Sequence, residues 1–164
     1  MPVVSGPAPK QRSKPYPEPS SISIRYPEKI KGSPDPVSVE SKSKVGIDYT
    51  NIPLSQHLWL IVKTPEGGFW AHGKCNPAGP SLIERTKETD RWETPDGLEI
   101  YFSVKNPITK PQYFTIYAVA VGEEENNRFM DSVRKKCANS FEGVAMVLEP
   151  KATAKATLEV VRGH

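Results

Sequence analysis

Five consecutive apolar residues, Leu58–Trp59–Leu60–Ile61–Val62, constrain this chain more than any other feature of its sequence. The run is too short for an ordinary helix and rich in branched and aromatic side chains, which is how a central strand buried on both faces reads. Glu66, Gly67 and Gly68 follow as a turn, and Phe69–Lys74 return as its antiparallel partner. Trp59, inside the run, is expected in the core.

The rest of the chain repeats this β character at intervals. Ile22, Ile24 and Tyr26 alternate with Ser23 and Arg25, and Pro27 closes the strand. Val37 and Val39 begin an alternation that continues through Ser41 and Ser43 to Val45 and Ile47, which predicts one long strand with Gly46 as a bulge. Asn51–Ser55 make a turn around Pro53. Residues 76–90 carry Pro77, Gly79 and Pro80 among polar neighbours and read as a long loop, followed by a short edge strand at Arg91–Thr94. After the turn at Pro95–Asp96–Gly97, Leu98, Ile100 and Phe102 alternate with polar neighbours. Tyr113–Val121 is the most strand-like stretch. It places Phe114, Ile116, Ala118 and Ala120 on one face and Tyr113, Tyr117, Val119 and Val121 on the other. Leu158 and Val160 mark the last strand, predicted over Thr157–Val161.

One helix interrupts the pattern. Phe129, Met130, Val133 and Cys137 share a helical face, with Glu123, Glu124 and Glu125 at the start and Arg134, Lys135 and Lys136 at the end. That charge order matches the helix dipole, and Asn139 is a candidate left-handed stop. Seven or eight strands with turns between them, plus one short helix before the last strand, predict an all-β fold: a two-sheet antiparallel β-sandwich of immunoglobulin-like type.

Proline divides the chain. Of 17 prolines, nine fall in the first 36 residues, at Pro2, Pro7, Pro9, Pro15, Pro17, Pro19, Pro27, Pro34 and Pro36. Residues 1–20 are therefore expected to be a Pro-rich, basic N-terminal tail that favours extended, polyproline-like conformations, and residues 21–164 the sandwich domain. Pro15–Tyr16–Pro17 sets an aromatic side chain in a pre-extended segment, which fits either a docking peptide or a linker. The net charge of +3 sits largely on Lys10, Arg12 and Lys14. It is too small and too local for the dense basic stripe of a nucleic-acid binder. No apolar run approaches the ~18 residues of a membrane span and no signal peptide opens the chain, so a cytoplasmic location is expected. The two cysteines, Cys75 and Cys137, fit a reducing compartment.

Taken together, Gly46, Ile52–Pro53, Leu58–Val62, the glycine turn, Phe69–Trp70, the isolated Trp92 and the alternating Tyr113–Val121 resemble a bacterial immunoglobulin-like or fibronectin type III-like accessory module. The resemblance spans most of residues 22–162. It implies an add-on to a larger bacterial assembly, a signalling protein or a phage particle, and by itself no single activity. The chain departs from the antibody type in two ways. Its second and sixth strands hold no cysteine, so the inter-sheet disulfide is missing, and the helix is an addition.

Reactive chemistry finds little footing. His72 and Cys75, with Cys137 or His57, are the candidate metal ligands, but two strand residues three apart point to opposite faces and no second ligand pair exists. No metal and no cofactor is expected. Nothing in the sequence pairs two carboxylates across a cleft, supplies a cysteine or serine with a histidine, or forms a phosphate-cradling glycine loop, so the chain is not expected to be an enzyme. Trp70 and Trp92 fit either interface anchors or caps on the sandwich edge. Phe69, Trp70 and His72 lie on a hairpin expected to form an exposed edge that invites strand addition. The expected function is a non-catalytic structural or adaptor module. It would contact a protein partner or another copy of itself through Pro15, Tyr16 and Pro17 of the tail and Phe69, Trp70 and Trp92 of the domain. A particle decoration or tail component is one alternative. A carbohydrate- or small-ligand-binding sandwich using Trp70 and Trp92 is another.

Overall fold

A computed structural model describes residues 20–29, 31–72, 82–83, 91–94, 99–102, 109–137 and 144–163. The chain is mostly β, arranged in antiparallel sheets with one long helix. Its strands in order are β1 (Ser21–Tyr26), β2 (Val37–Val39), β3 (Lys42–Ser43), β4 (Gly46–Thr50), β5 (His57–Lys63), β6 (Phe69–His72), β7 (Leu82–Ile83), β8 (Arg91–Glu93), β9 (Ile100–Tyr101) and β10 (Gln112–Val121). The helix α1 (Glu123–Cys137), β11 (Val144–Val147) and β12 (Ala154–Arg162) follow.

The main sheet runs β11-β6-β5-β10-β12-β2, with β7 beside the first residues of β5. As its unbroken apolar run requires, β5 lies inside this sheet, and Leu58–Val62 are all buried. The predicted hairpin forms: Gly67 adopts φ +94°, and Thr64 exchanges backbone hydrogen bonds with Gly67 and Gly68. β10 pairs along its length with β12 and over residues 115–121 with β5, which makes it the backbone of the sheet. A smaller sheet, β1-β4-β8, packs on one face, and β3 and β9 form a two-residue ladder.

Two cores result. Val45, Ile47, Tyr49, Leu58, Leu60, Val62, Phe114, Ile116, Ala118, Leu158 and Val160 fill the space between the two sheets. On the opposite face of the main sheet, Trp59, Ile61, Ala71, Val119, Val121 and Val147 pack against Phe129 of α1. Each strand's alternation divides its residues between these cores, so β10 reads as apolar on both faces.

Several expectations need correction. The single long strand predicted from Val37 to Ile47 is three short strands in three sheets: β2 runs parallel to β12, β3 pairs with β9 and β4 with β1. The polar residues between the valines mark changes of sheet. Gly46 is not the bulge. The register shift lies in β1, between Ile24 and Tyr26, and Gly46 faces it. A Cβ on Gly46 would stand 2.5 Å from the Tyr26 ring, so the position requires a residue without one. Leu82–Ile83, read as loop, is a strand, as is Val144–Val147, which went unpredicted; β12 is longer than expected. The turn at residues 95–97, Leu98 and Asn139 lie outside the described residues.

Candidate functional site

Of the six residues expected to bind a partner, Pro15, Tyr16 and Pro17 lie outside the described residues. Phe69 and Trp70 sit on β6, but β6 is not an edge. β11 pairs antiparallel with all four of its residues, Val144↔His72 through Val147↔Phe69. The expected open edge therefore moves one strand outward. Trp92 is half-buried and packs against the inter-sheet core, on edge strand β8 opposite Ile47. Trp70 stands opposite Val62, whose side chain belongs to the same core. Trp92 thus faces the space between the layers, while Trp70, half-buried, lies on the same side of the main sheet as Val62. Phe69 points the other way, stacking edge-on against Tyr117 at 5.4 Å with the Lys63 ammonium 5.6 Å from its ring centre.

Among the described residues no strand pairs with the outer edge of β11. Its four residues, Val-Ala-Met-Val, carry no charge, and Leu148, directly after them, is 72% exposed. Only Glu149 and Pro150 follow as the residue types that blunt an edge. An apolar, β-prone edge of this kind is a template for another chain's backbone.

A polar cluster lies where α1 begins. Gly122, Glu123, Glu124, Glu125, Asn127, Arg128, Asp131 and Lys151 line an open depression of about 590 Å³. Within it the buried Glu125 carboxylate accepts two hydrogen bonds from Arg128, from Nε at 2.6 Å and from Nη2 at 2.7 Å. The backbone N–H of Lys151 donates a third, also at 2.6 Å. The Arg128 hydrogen bonds, with the Lys151 N–H and the nearby positive charges, outweigh burial and hold the Glu125 carboxyl below its ordinary range. A carboxylate so stabilised and so occupied is a poor proton donor and a poor base. Its role is to tie the segment entering β12 to the helix. Beside it, Asn126 Oδ1 accepts from the Trp59 indole at 2.8 Å, and His57 Nε2 pairs with Glu123 at 2.9 Å.

Asp48 holds a second charged group on the small sheet, between Arg25 at 3.4 Å and Arg91 at 3.2 Å. None of these clusters was legible as such in the sequence, although Glu125 and Arg128 have the i,i+3 spacing of a helical ion pair. Among the described residues no three His, Cys, Asp or Glu side chains gather to hold a metal ion, and no helix is long and apolar enough to cross a membrane. Cys75 lies outside the described residues. Comparison with protein-family models, curated proteins and solved structures finds no match for the chain.

Proposed function

We propose that this chain is a non-catalytic adaptor or structural module of immunoglobulin-like sandwich type. It makes protein–protein contacts through its N-terminal segment and the edge strand β11. The strand order supports the fold reading. β1, β4 and β8 stand in the order of strands A, B and E of an immunoglobulin-type sheet, and β5, β10 and β12 in the order of C, F and G of the facing one. β6 extends the second sheet as C′ does. The helix and β11 then occupy the F–G connection and cover part of the sheet face that a plain sandwich leaves to solvent.

The observation that carries the functional reading is the β11 edge: four uncharged residues with no described partner, ending at the exposed Leu148. Backbone pairing there would supply affinity, and Leu148 would supply apolar burial on the added strand. A second copy of the chain is the simplest partner, and a particle component would use the same contacts in a lattice. The carbohydrate reading, which relied on Trp70 and Trp92, has less support, since Trp92 packs against the inter-sheet core and Trp70 is half-buried.

Sedimentation of the full chain and of Leu148→Lys tests this. Self-association that weakens at least tenfold in the variant, with thermal stability unchanged, supports the edge contact. Identical behaviour of the two proteins contradicts it.

A further inference from the structure

We propose that an aromatic shelf of Phe69, Tyr117 and Tyr113, on the helix-side face of the main sheet, is the docking surface for the chain's own Pro-rich segment, residues 1–19. The proposal rests on the reading of that segment as a contact element and names the surface it contacts.

The shelf follows from the register. Odd-numbered residues of β10 face the helix side. α1 packs over Val119 and Val121 and, on the adjoining strands, over the core of Trp59, Ile61, Ala71 and Val147, with Phe69 and Tyr117 at its margin. Toward the other end of β10, Tyr117 is half-buried beside Phe69, and Tyr113 is 55% exposed. On the neighbouring strand Thr157 and Glu159, opposite Tyr117 and Thr115, are exposed, while Val161, opposite Tyr113, is buried. The result is a stripe of half-buried and exposed aromatic rings flanked by hydroxyl and charged groups.

The chemistry of residues 1–19 fits that stripe. Proline-rich chain loses little entropy on binding and docks on aromatic-lined surfaces, where pyrrolidine rings stack on Tyr and Phe. The segment carries six prolines and Tyr16, and Glu159, opposite Thr115 between the two tyrosines, offers an acceptor for one of Lys10, Arg12 and Lys14, with the like charge of Lys63 on the other side of Thr115. The reach is sufficient. Ser20 is fixed by a hydrogen bond to the Asn51 carbonyl at 2.6 Å. This is the end of the molecule where His57 pairs with Val121. From there the far end of the shelf is about 27 Å along β10 and about 10 Å across the layer. Nineteen residues of extended polyproline chain span about 59 Å, enough to reach the shelf of the same copy or of a neighbour.

The test compares the full chain with its Pro15→Ala/Tyr16→Ala/Pro17→Ala variant by amide NMR, with light scattering on the same samples. The expected result is a set of shifts at Phe69, Tyr113, Thr115, Tyr117 and Glu159, far in sequence from the substitutions. Tyr113→Ala, at an exposed position, should in turn speed tryptic cleavage after Arg12 at least threefold. Shelf amides that do not respond to the triple variant overturn the proposal, even if association persists and the contact reading survives. Shelf shifts in a protein that is monomeric throughout uphold the docking within one copy while the contact reading fails. A shelf that responds to added cellohexaose but not to the tail substitutions overturns the proposal in favour of a glycan surface.

Discussion

The indole of Trp59 donates a 2.8 Å hydrogen bond to the side chain of Asn126, and both residues are buried. This bond joins the middle of the central strand to the first turn of the helix, while the Phe129 ring meets the same indole edge-on at 5.2 Å. α1 is therefore part of the core and not an ornament on the sheet. Replacing Asn126 with Ala leaves the indole N–H buried without an acceptor. The expected cost is about 1–3 kcal/mol, read from the midpoint of urea unfolding followed by tryptophan fluorescence.

Phe129→Ala removes the ring that closes the second core. Truncation of a fully buried Phe costs about 3–5 kcal/mol, and the loss should appear in the same unfolding experiment. If α1 were only loosely attached, the change would be below about 1 kcal/mol.

Glu125 makes stability depend on acid. Its carboxyl titrates lower in the folded chain than in the unfolded one, chiefly because Arg128 hydrogen-bonds to the ionised form. The stabilisation is fully present above the unfolded carboxyl range and is lost as pH falls through the lower, folded value. Glu125→Gln should therefore destabilise at pH 7, by about 1.5–3 kcal/mol for hydrogen bonds to a charged group. The gap from wild type should close as pH is lowered below 4.5. A gap that stays constant down to pH 3 would contradict this assignment.

Gly46 and Tyr26 test the packing of the small sheet. A methyl group at Gly46 would collide with the Tyr26 ring, so Gly46→Ala should cost about 1–3 kcal/mol as overpacking. The Tyr26→Ala background should relieve most of that cost, giving a clear non-additivity in the double-mutant cycle.

Much of the β framework was legible because it rests on local alternation. The burial of β5, the 66–68 turn, the two faces of β10 and the apolar face of α1 all follow from residue order within one element. What stayed hidden depends on pairing between distant segments. The valines of residues 37–47 look like one strand, yet three sheets claim them. Leu82–Ile83 and Val144–Val147 are too short to announce themselves, and β11 alone decides that Phe69 and Trp70 are interior to the sheet. Asn126 and Glu125 look like ordinary polar residues of a helix start, since their partners Trp59 and Lys151 are remote in sequence or lie beyond the helix.

The central proposal is that this chain holds a partner through its N-terminal segment and the β11 edge. Light scattering across a concentration series, on the full chain and on residues 20–164, addresses it most directly. The account predicts that the full chain exceeds its 18.2 kDa monomer mass as concentration rises, and that removing residues 1–19 shifts association to at least tenfold higher concentration. A monomer of 18.2 kDa at every concentration for the full chain, with the shortened chain behaving alike, would contradict it.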